Sequence, residues 1–447
     1  MTDPAVERLA ALVRIPTVSH RDASLVDAEA FDRLLDTMRD QWPLLHDLDV
    51  TRVGGHGMLV HWPGRSADRP VVLMAHLDVV PVVAADWSRD PFCGDVVDGE
   101  HGAEIWGRGT LDDKGCVAAI CEAVETLLGD GHVPAQDVWL SFGCDEEVSG
   151  GAAEAAVDVL RERGVAPWFV LDEGGAIAHE AFPGIAAPVG VVGVTEKGVT
   201  SVTLTVTGDG GHASTPVRNG PTVRLAKALT RLDAAPMSPR LPAPTIELFR
   251  RLAPHSPLPL RALFGSAHRL APVVSRALTL AGAEPAAMVR TTFAITTLAG
   301  SPALNVIAAS ASAGVNVRVM VGDTVAGVLD HIRSAVRDDT VAVEVVEATE
   351  PSPVSPYSTP DEADEAFDLL ESVIGEVFPD AVPAPYVMMA ATDSRFFTAI
   401  CERVYRFAPF RMTRAQRATI HAADERLGTD AYLDGVQWYR RLIERLP

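Results

Sequence analysis

Basic residues are scarce in this chain. Lys and Arg number 38 against 60 Asp and Glu, a formal net charge of −22 at pH 7. A surface that negative repels polyanions and anionic bilayers, so neither nucleic acid nor a membrane is expected as a partner. Cysteine is sparse as well: Cys93, Cys116, Cys121, Cys144 and Cys401 are an odd set without a Cys-x-x-Cys pair, which fits a reducing, cytoplasmic compartment. Long uncharged apolar runs are missing. Even Leu270–Val289 is broken by Arg276 and Glu284, whereas a membrane-spanning helix needs about 18 apolar residues or more. Met1-Thr2-Asp3-Pro4 leads into a charged amphipathic segment without the apolar centre of a signal peptide. A phosphate loop is absent too. The glycine-rich stretch Gly107–Gly115 lacks the Walker spacing, Lys114 is followed by Gly115, and Asp112 and Asp113 would repel a phosphate.

The chain does have length and apolar residues. Its 447 residues are 47% hydrophobic and 22% charged, the balance of a soluble globular protein too long for one ordinary core. Val71-Val72-Leu73-Met74-Ala75 reads as a strand buried on both faces, and it ends in His76-Leu77-Asp78. Two further runs repeat the arrangement: Val138–Phe142 leads into Asp145-Glu146-Glu147, and Trp168–Leu171 into Asp172-Glu173-Gly174-Gly175. Helical spacing marks Ala5–Val13, Val26–Gln41, Lys114–Leu128 and Ala152–Arg163. Strand and helix alternate as in an open α/β sheet, where the loops beyond the strands' carboxyl ends converge on a ligand site.

Near residue 195 the pattern shifts. Strand signals at Val199–Thr207, Thr291–Leu298, Ala311–Val319 and Val341–Val346, with helices at Thr222–Leu232 and Thr324–Val336, make a small second domain. Residues 235–290 are proline-rich with helix-like pieces, which suggests an insertion, and Pro351–Pro360 looks like a hinge. A strand at Tyr386–Met389 and a closing helix at Asp430–Leu446 follow.

The chemistry lies at the strand ends. His76 and Asp78, two apart in an extended segment, point the same way, so Asp78 suits the second nitrogen of a metal-bound imidazole. With Asp112, Glu147, Asp172 and His421 they make a set sufficient for two zinc-like ions sharing Asp112. Glu146, beside Glu147, is then free to act as general base on a metal-activated water. Taken alone, Gly107–Gly115 also reads as a solvated acidic turn capping the next helix.

These residues resemble the M20 metallopeptidases, the group with carboxypeptidase S-like enzymes, glutamate carboxypeptidase, aminoacylase and related deacylases. The resemblance covers nearly the whole chain. It rests on His76-Leu77-Asp78-Val79-Val80-Pro81, Asp86-Trp87, Asp90-Pro91-Phe92, Gly107–Gly115, Asp145-Glu146-Glu147, Asp172-Glu173-Gly174-Gly175, Gly211-His212-Ala213-Ser214, Asn305 to Arg318, and Ile420-His421. It implies a mixed-sheet α/β catalytic domain with helices on both faces, residues 1–196 and 348–447, interrupted by an inserted α+β lid or dimerisation domain at 197–347. It also implies one divalent ion on His76, Asp112 and Asp172, another on Asp112, Glu147 and His421, and a cis Asp112–Asp113 bond. Zn²⁺ is expected, with Co²⁺ or Mn²⁺ as alternatives. His212 and Asn305 would polarise the substrate carbonyl, His212 coming from the partner in dimeric members, and Arg395 or Arg318 would pair with a substrate carboxylate. Ala308 and the Ala422-Ala423 pair depart from the family pattern only in local loop geometry.

The activity implied is hydrolysis of an amide next to a carboxylate-bearing amino acid: a dipeptide, a C-terminal peptide bond or an N-acyl amino acid. A narrow biosynthetic deacylase and a non-catalytic binding protein on the same fold are the rivals.

Overall fold

The computed structural model describes residues 3–99, 102–182 and 184–447. The apolar run at 71–75 is the second half of a strand, Ser66–His76, and its lack of polar alternation has a direct cause. Val71, Leu73 and Ala75 enter one core with the helix Lys114–Gly129, while Val72 and Met74 enter another with the helix Gly151–Glu162. Successive strand residues point to opposite faces, so helices on both faces require apolar side chains at every position.

Ser66–His76 pairs in parallel with Gln136–Gly143 on one side and Phe169–Asp172 on the other, and Val404–Arg406 pairs in parallel with Phe169–Asp172. All four strands therefore end at one edge, which brings His76, the acidic turn after Gly143 and Asp172-Glu173 together. Among the described residues the sheet has ten strands. Its other members include the antiparallel hairpin Asp49–Val53 and Gly57–Trp62, so the sheet is mixed.

Several strands escaped the periodicity, and two cases show why. The hairpin turns at Gly54 and Gly55, both at positive φ, and only Val53 of its outer strand is buried, so that strand shows little hydrophobic signal. The strand at Tyr386 begins earlier, spanning Val382–Met388, with Pro383 and Pro385 inside it. Among the described residues it pairs only with Val189–Glu196, and an edge strand tolerates a residue without a donor. The opening helices, Pro4–Val13 and Ala28–Gln41, are started by Asp3 and Asp27, whose carboxylates accept from the N–H groups of Ala5 and Ala30.

A separate antiparallel sheet runs in the order Thr292–Ala299, Ser310–Val319, Gly198–Thr207, Val341–Ala348. Gly198–Thr207 alternates buried and half-buried residues along almost its whole length. Val202, Leu204 and Val206 form a second core with the helices Pro221–Asp233 and Val325–Val336. This is the inserted α+β unit. Residues 235–290 instead form short helices whose core includes Val189 and Ala384 of the large sheet. The proline-rich stretch after Thr349 is strapped along that sheet: Ser352 N donates to Glu196 O, Ser355 N to Val194 O, and the Ser355 hydroxyl to Val404 O. No helix among the described residues is long and apolar enough to cross a membrane.

Burial separates what holds this fold from what decorates it. Leu73→Ala, at a fully buried position between the two faces, is expected to destabilise by about 2–5 kcal/mol. Leu280→Ala, at an 88% exposed position, should stay within about 0.5 kcal/mol. Urea unfolding midpoints of the two variants test the contrast.

Candidate metal centre

The loop before Lys114 is shaped by glycine. Gly107 and Gly109 have φ of +146° and +88°, and a Cβ at Gly107 would lie 2.3 Å from Val13 Cγ1. The Asp112–Asp113 peptide is cis, as the resemblance implies. Asp112 presents one oxygen to each of two histidines: Oδ1 is 2.9 Å from His76 Nε2 and Oδ2 is 2.9 Å from His421 Nε2. Glu147 stands 3.1 Å from the same His421 nitrogen. Three sets of donor atoms lie within 4.8 Å of one another: His76, Asp112 and Glu173; Asp112, Glu147 and His421; and His76, Glu146 and Glu147.

The electrostatics of this cluster call for added positive charge. Burial raises Glu146, Glu147 and Glu173 above the usual carboxylate range, and repulsion from Asp112 adds to it. His421 is pushed up to about 10 by its hydrogen bonds to Asp112 and Glu147. Burial opposes protonation of His76, but hydrogen bonds to Asp112 and Asp78 raise it nonetheless. Carboxylates packed this closely cannot all ionise in a low dielectric unless cations join them. Imidazole and carboxylate donors in these numbers fit two divalent ions of the zinc, cobalt or manganese type.

Three buried carboxylates hold the donors by accepting backbone N–H groups. Asp78, expected to orient His76, does more than that. The His76 Nδ1 lies 3.0 Å from the Asp78 carbonyl and 3.4 Å from its carboxylate, leaving Nε2 toward Asp112. The same carboxylate accepts from Glu146 N and Glu147 N, each at 3.2 Å, and so ties two strand ends together.

Asp172 is the second of these carboxylates. The resemblance placed it among the ligands, yet among the described residues it belongs to none of the three sets. Its oxygens accept from Glu173 N at 2.9 Å and Ser394 N at 2.8 Å, and Glu173 sits with His76 and Asp112 instead. Neighbouring residues at a strand end point opposite ways, so of this pair it is Glu173 whose carboxylate lies by His76 and Asp112. Ser394 is itself held by Glu196, which also takes Thr392 Oγ1 and the Arg406 guanidinium.

Glu425 is the third, and sequence reasoning missed it. One oxygen accepts from Gly109 N, Leu111 N and Asp112 N at 3.1, 2.8 and 3.2 Å, and the other pairs with Arg108. Arg108 also donates to Ala422 O, and Gly107 N to Glu425 O. The loop carrying His421, itself at φ +59°, is thereby locked onto the loop carrying Asp112. Only its place four residues after His421 hinted at such a role.

The remaining candidates lie outside the cluster. His212 is exposed, with Nδ1 2.7 Å from Ser214 Oγ. Asn305 is its neighbour, since Ala213 N donates to Asn305 O beside the short pairing of Gly211–His212 with Val306–Ile307. Arg395 is spent internally, donating to Thr392 O and Ser149 O. Arg318 is half-buried on Ser310–Val319, and among the described residues it has no acidic partner within 4.0 Å. Burial lowers its pKa.

The Glu425 clamp gives a direct expectation. Glu425→Gln keeps the shape but removes the charge facing Arg108 and the three N–H groups. It should weaken divalent-ion affinity by about 10–100-fold, as read by calorimetric titration of the metal-free protein with Zn²⁺.

"Probable carboxypeptidase S-like 2" of Dictyostelium discoideum is 34% identical over 449 residues, covering 98% of this chain and 84% of the relative. "N-fatty-acyl-amino acid synthase/hydrolase PM20D1" of Homo sapiens is 35% identical over 378 residues, covering 84% of this chain and 74% of the relative. In fold, the chain is similar to an M20 family metallo-carboxypeptidase from Sulfolobus solfataricus, with a TM-score of 0.71 at 17% identity and 99% of each chain covered. It is also similar to human carnosine dipeptidase 1, with a TM-score of 0.70 at 17% identity, covering 99% of this chain and 95% of that one. The pattern of peptidase family M20/M25/M40 matches residues 72–445, and the chain belongs to that family of metallopeptidases and amidohydrolases.

Proposed function

We propose that this protein is a two-metal hydrolase that cleaves the amide joining an acyl group to a carboxylate-bearing amino acid. The observation that carries the reading is Asp112, with one oxygen toward His76 and the other toward His421. On this reading His76, Asp112 and Glu173 hold one ion, and Asp112, Glu147 and His421 the other, with Asp172 fixing the turn. When bound, two such ions polarise a carbonyl and lower the pKa of water from 15.7 to about 7. Zn²⁺ fits the donors best, with Co²⁺ or Mn²⁺ able to replace it.

Glu146 is the general base. Asp78 holds its backbone N–H, and among the described residues its carboxylate accepts no hydrogen bond, so it is free to take a proton from the attacking water and return it to the leaving amine. Residues 197–347 act as a lid that brings His212 and Asn305 to the substrate carbonyl. The exposed ring of His212 suits delivery into the site of a second copy. Arg318 is the better anchor for the substrate carboxylate, because Arg395 already caps two carbonyls.

The relatives bearing on substrate are the N-fatty-acyl-amino acid synthase/hydrolases and carboxypeptidase S-like proteins at about one-third identity. They favour N-acyl amino acids and C-terminal peptide bonds over dipeptides, since the dipeptidase likeness is one of fold.

A panel of N-acyl amino acids and dipeptides, with and without a chelator, tests the proposal. Chelation should abolish turnover and Zn²⁺, Co²⁺ or Mn²⁺ restore it. Metal-replete protein that turns over no member of the panel would favour a binding role instead. Glu146→Ala should lower kcat by about 10²–10⁴-fold while elemental analysis still finds two ions per chain. Arg318→Ala should raise KM more than Arg395→Ala does.

A further inference from the structure

The chain's acidity lapses over residues 248–322, where Glu284 is the only acidic residue. From Leu248 to Ala283 there is no Asp or Glu, yet Arg250, Arg251, Arg261, Arg269 and Arg276 fall within it. Arg250 and Arg251 pair with Glu247. Among the described residues, Arg269 and Arg276 have no acidic partner within 4.0 Å.

This stretch contains the helix Ala271–Ala281, whose two faces differ from the usual arrangement. Val274 and Leu278 face inward to a core shared with Val189 and Ala384 of the large sheet. The outward positions recur at helical spacing, yet they are apolar rather than acidic. Leu270, Val273 and Leu280 are exposed, at 41%, 58% and 88%, together with Arg276. Leu258, at the start of the preceding helix, is 77% exposed. An outward face of leucine and valine edged by arginine, on a helix too short to span a bilayer, is the composition of a helix that lies in a lipid interface.

We propose that this face docks the protein onto an anionic lipid bilayer. The overall charge of −22 opposes any anionic surface at long range, which is why the composition argues against membranes. Screening at physiological salt acts within about 8 Å, so the stretch from Leu248 to Ala283, with five arginines and no acid, meets the surface with its own local charge. A second copy of the chain is the competing occupant. A two-fold contact would set Arg269 and Arg276 against themselves, with exposed Glu284 the one acid in sequence beside them, whereas an anionic bilayer answers both the arginines and the apolar side chains. Through its inner face the docked helix shares the core that includes Val189 and Ala384 of the large sheet.

Co-sedimentation with vesicles tests this. The full chain should bind vesicles of mixed phosphatidylcholine and phosphatidylglycerol, not phosphatidylcholine alone, and release as salt is raised. Val273→Asp combined with Leu280→Asp, and separately Arg269→Ala combined with Arg276→Ala, should each lower the bound fraction about tenfold with unfolding midpoints unchanged. Absence of wild-type binding to the mixed vesicles would overturn the proposal, as would variants that bind like the wild type. A dimer in solution that Val273→Asp dissociates would assign the face to a second copy and overturn it as well.

Discussion

Asp112 is the residue on which the site depends, because its two oxygens join His76 at a strand end directly to His421 far along the chain. A carboxylate can serve two partners at once only if its backbone is fixed so that neither oxygen swings away. Gly107 and Gly109 let the loop approach Val13 and Val79 closely enough to turn there. Glu425 then takes three consecutive-loop N–H groups and Arg108 takes the facing loop's carbonyl.

The same device recurs around the cluster. Asp78 holds the turn of Glu146 and Glu147, Asp172 holds Glu173 and Ser394, and Glu196 holds Thr392, Ser394 and Arg406. Buried charges of this kind are costly to desolvate, and their value lies in geometry more than in net stability. A buried carboxylate with several N–H donors is satisfied and therefore rigid. Among the described residues the Glu146 carboxylate accepts no such bond and lies beside His76 and Glu147.

The two sheets divide the work. The large sheet is buried on both faces by helices and delivers its strand ends to one edge. The smaller sheet keeps a covered face and an open one and carries Arg318, while His212 and Asn305 lie at a separate two-stranded pairing, apart from the metal cluster. Substrate contact from that side requires the two parts to come together, within one chain or between two.

Much of this was legible in residues alone. Uninterrupted apolar runs ending in His or acid disclosed the central parallel strands, because burial on both faces leaves no room for polar alternation. Strict alternation disclosed the smaller sheet for the opposite reason. The hairpin at Gly54-Gly55 and the proline-bearing strand Val382–Met388 were hidden or shortened, since exposure and missing donors erase the pattern. Composition and order of motifs determined the family, the sheet type and the residue types at the site. Tertiary structure alone decided which of Asp172 and Glu173 faces His76, that Glu425 clamps the Asp112 loop, and that Arg395 is spent on carbonyls while Arg318 is not. Each of these turns on the direction of one side chain or on a partner hundreds of residues away, and neither is encoded in local spacing.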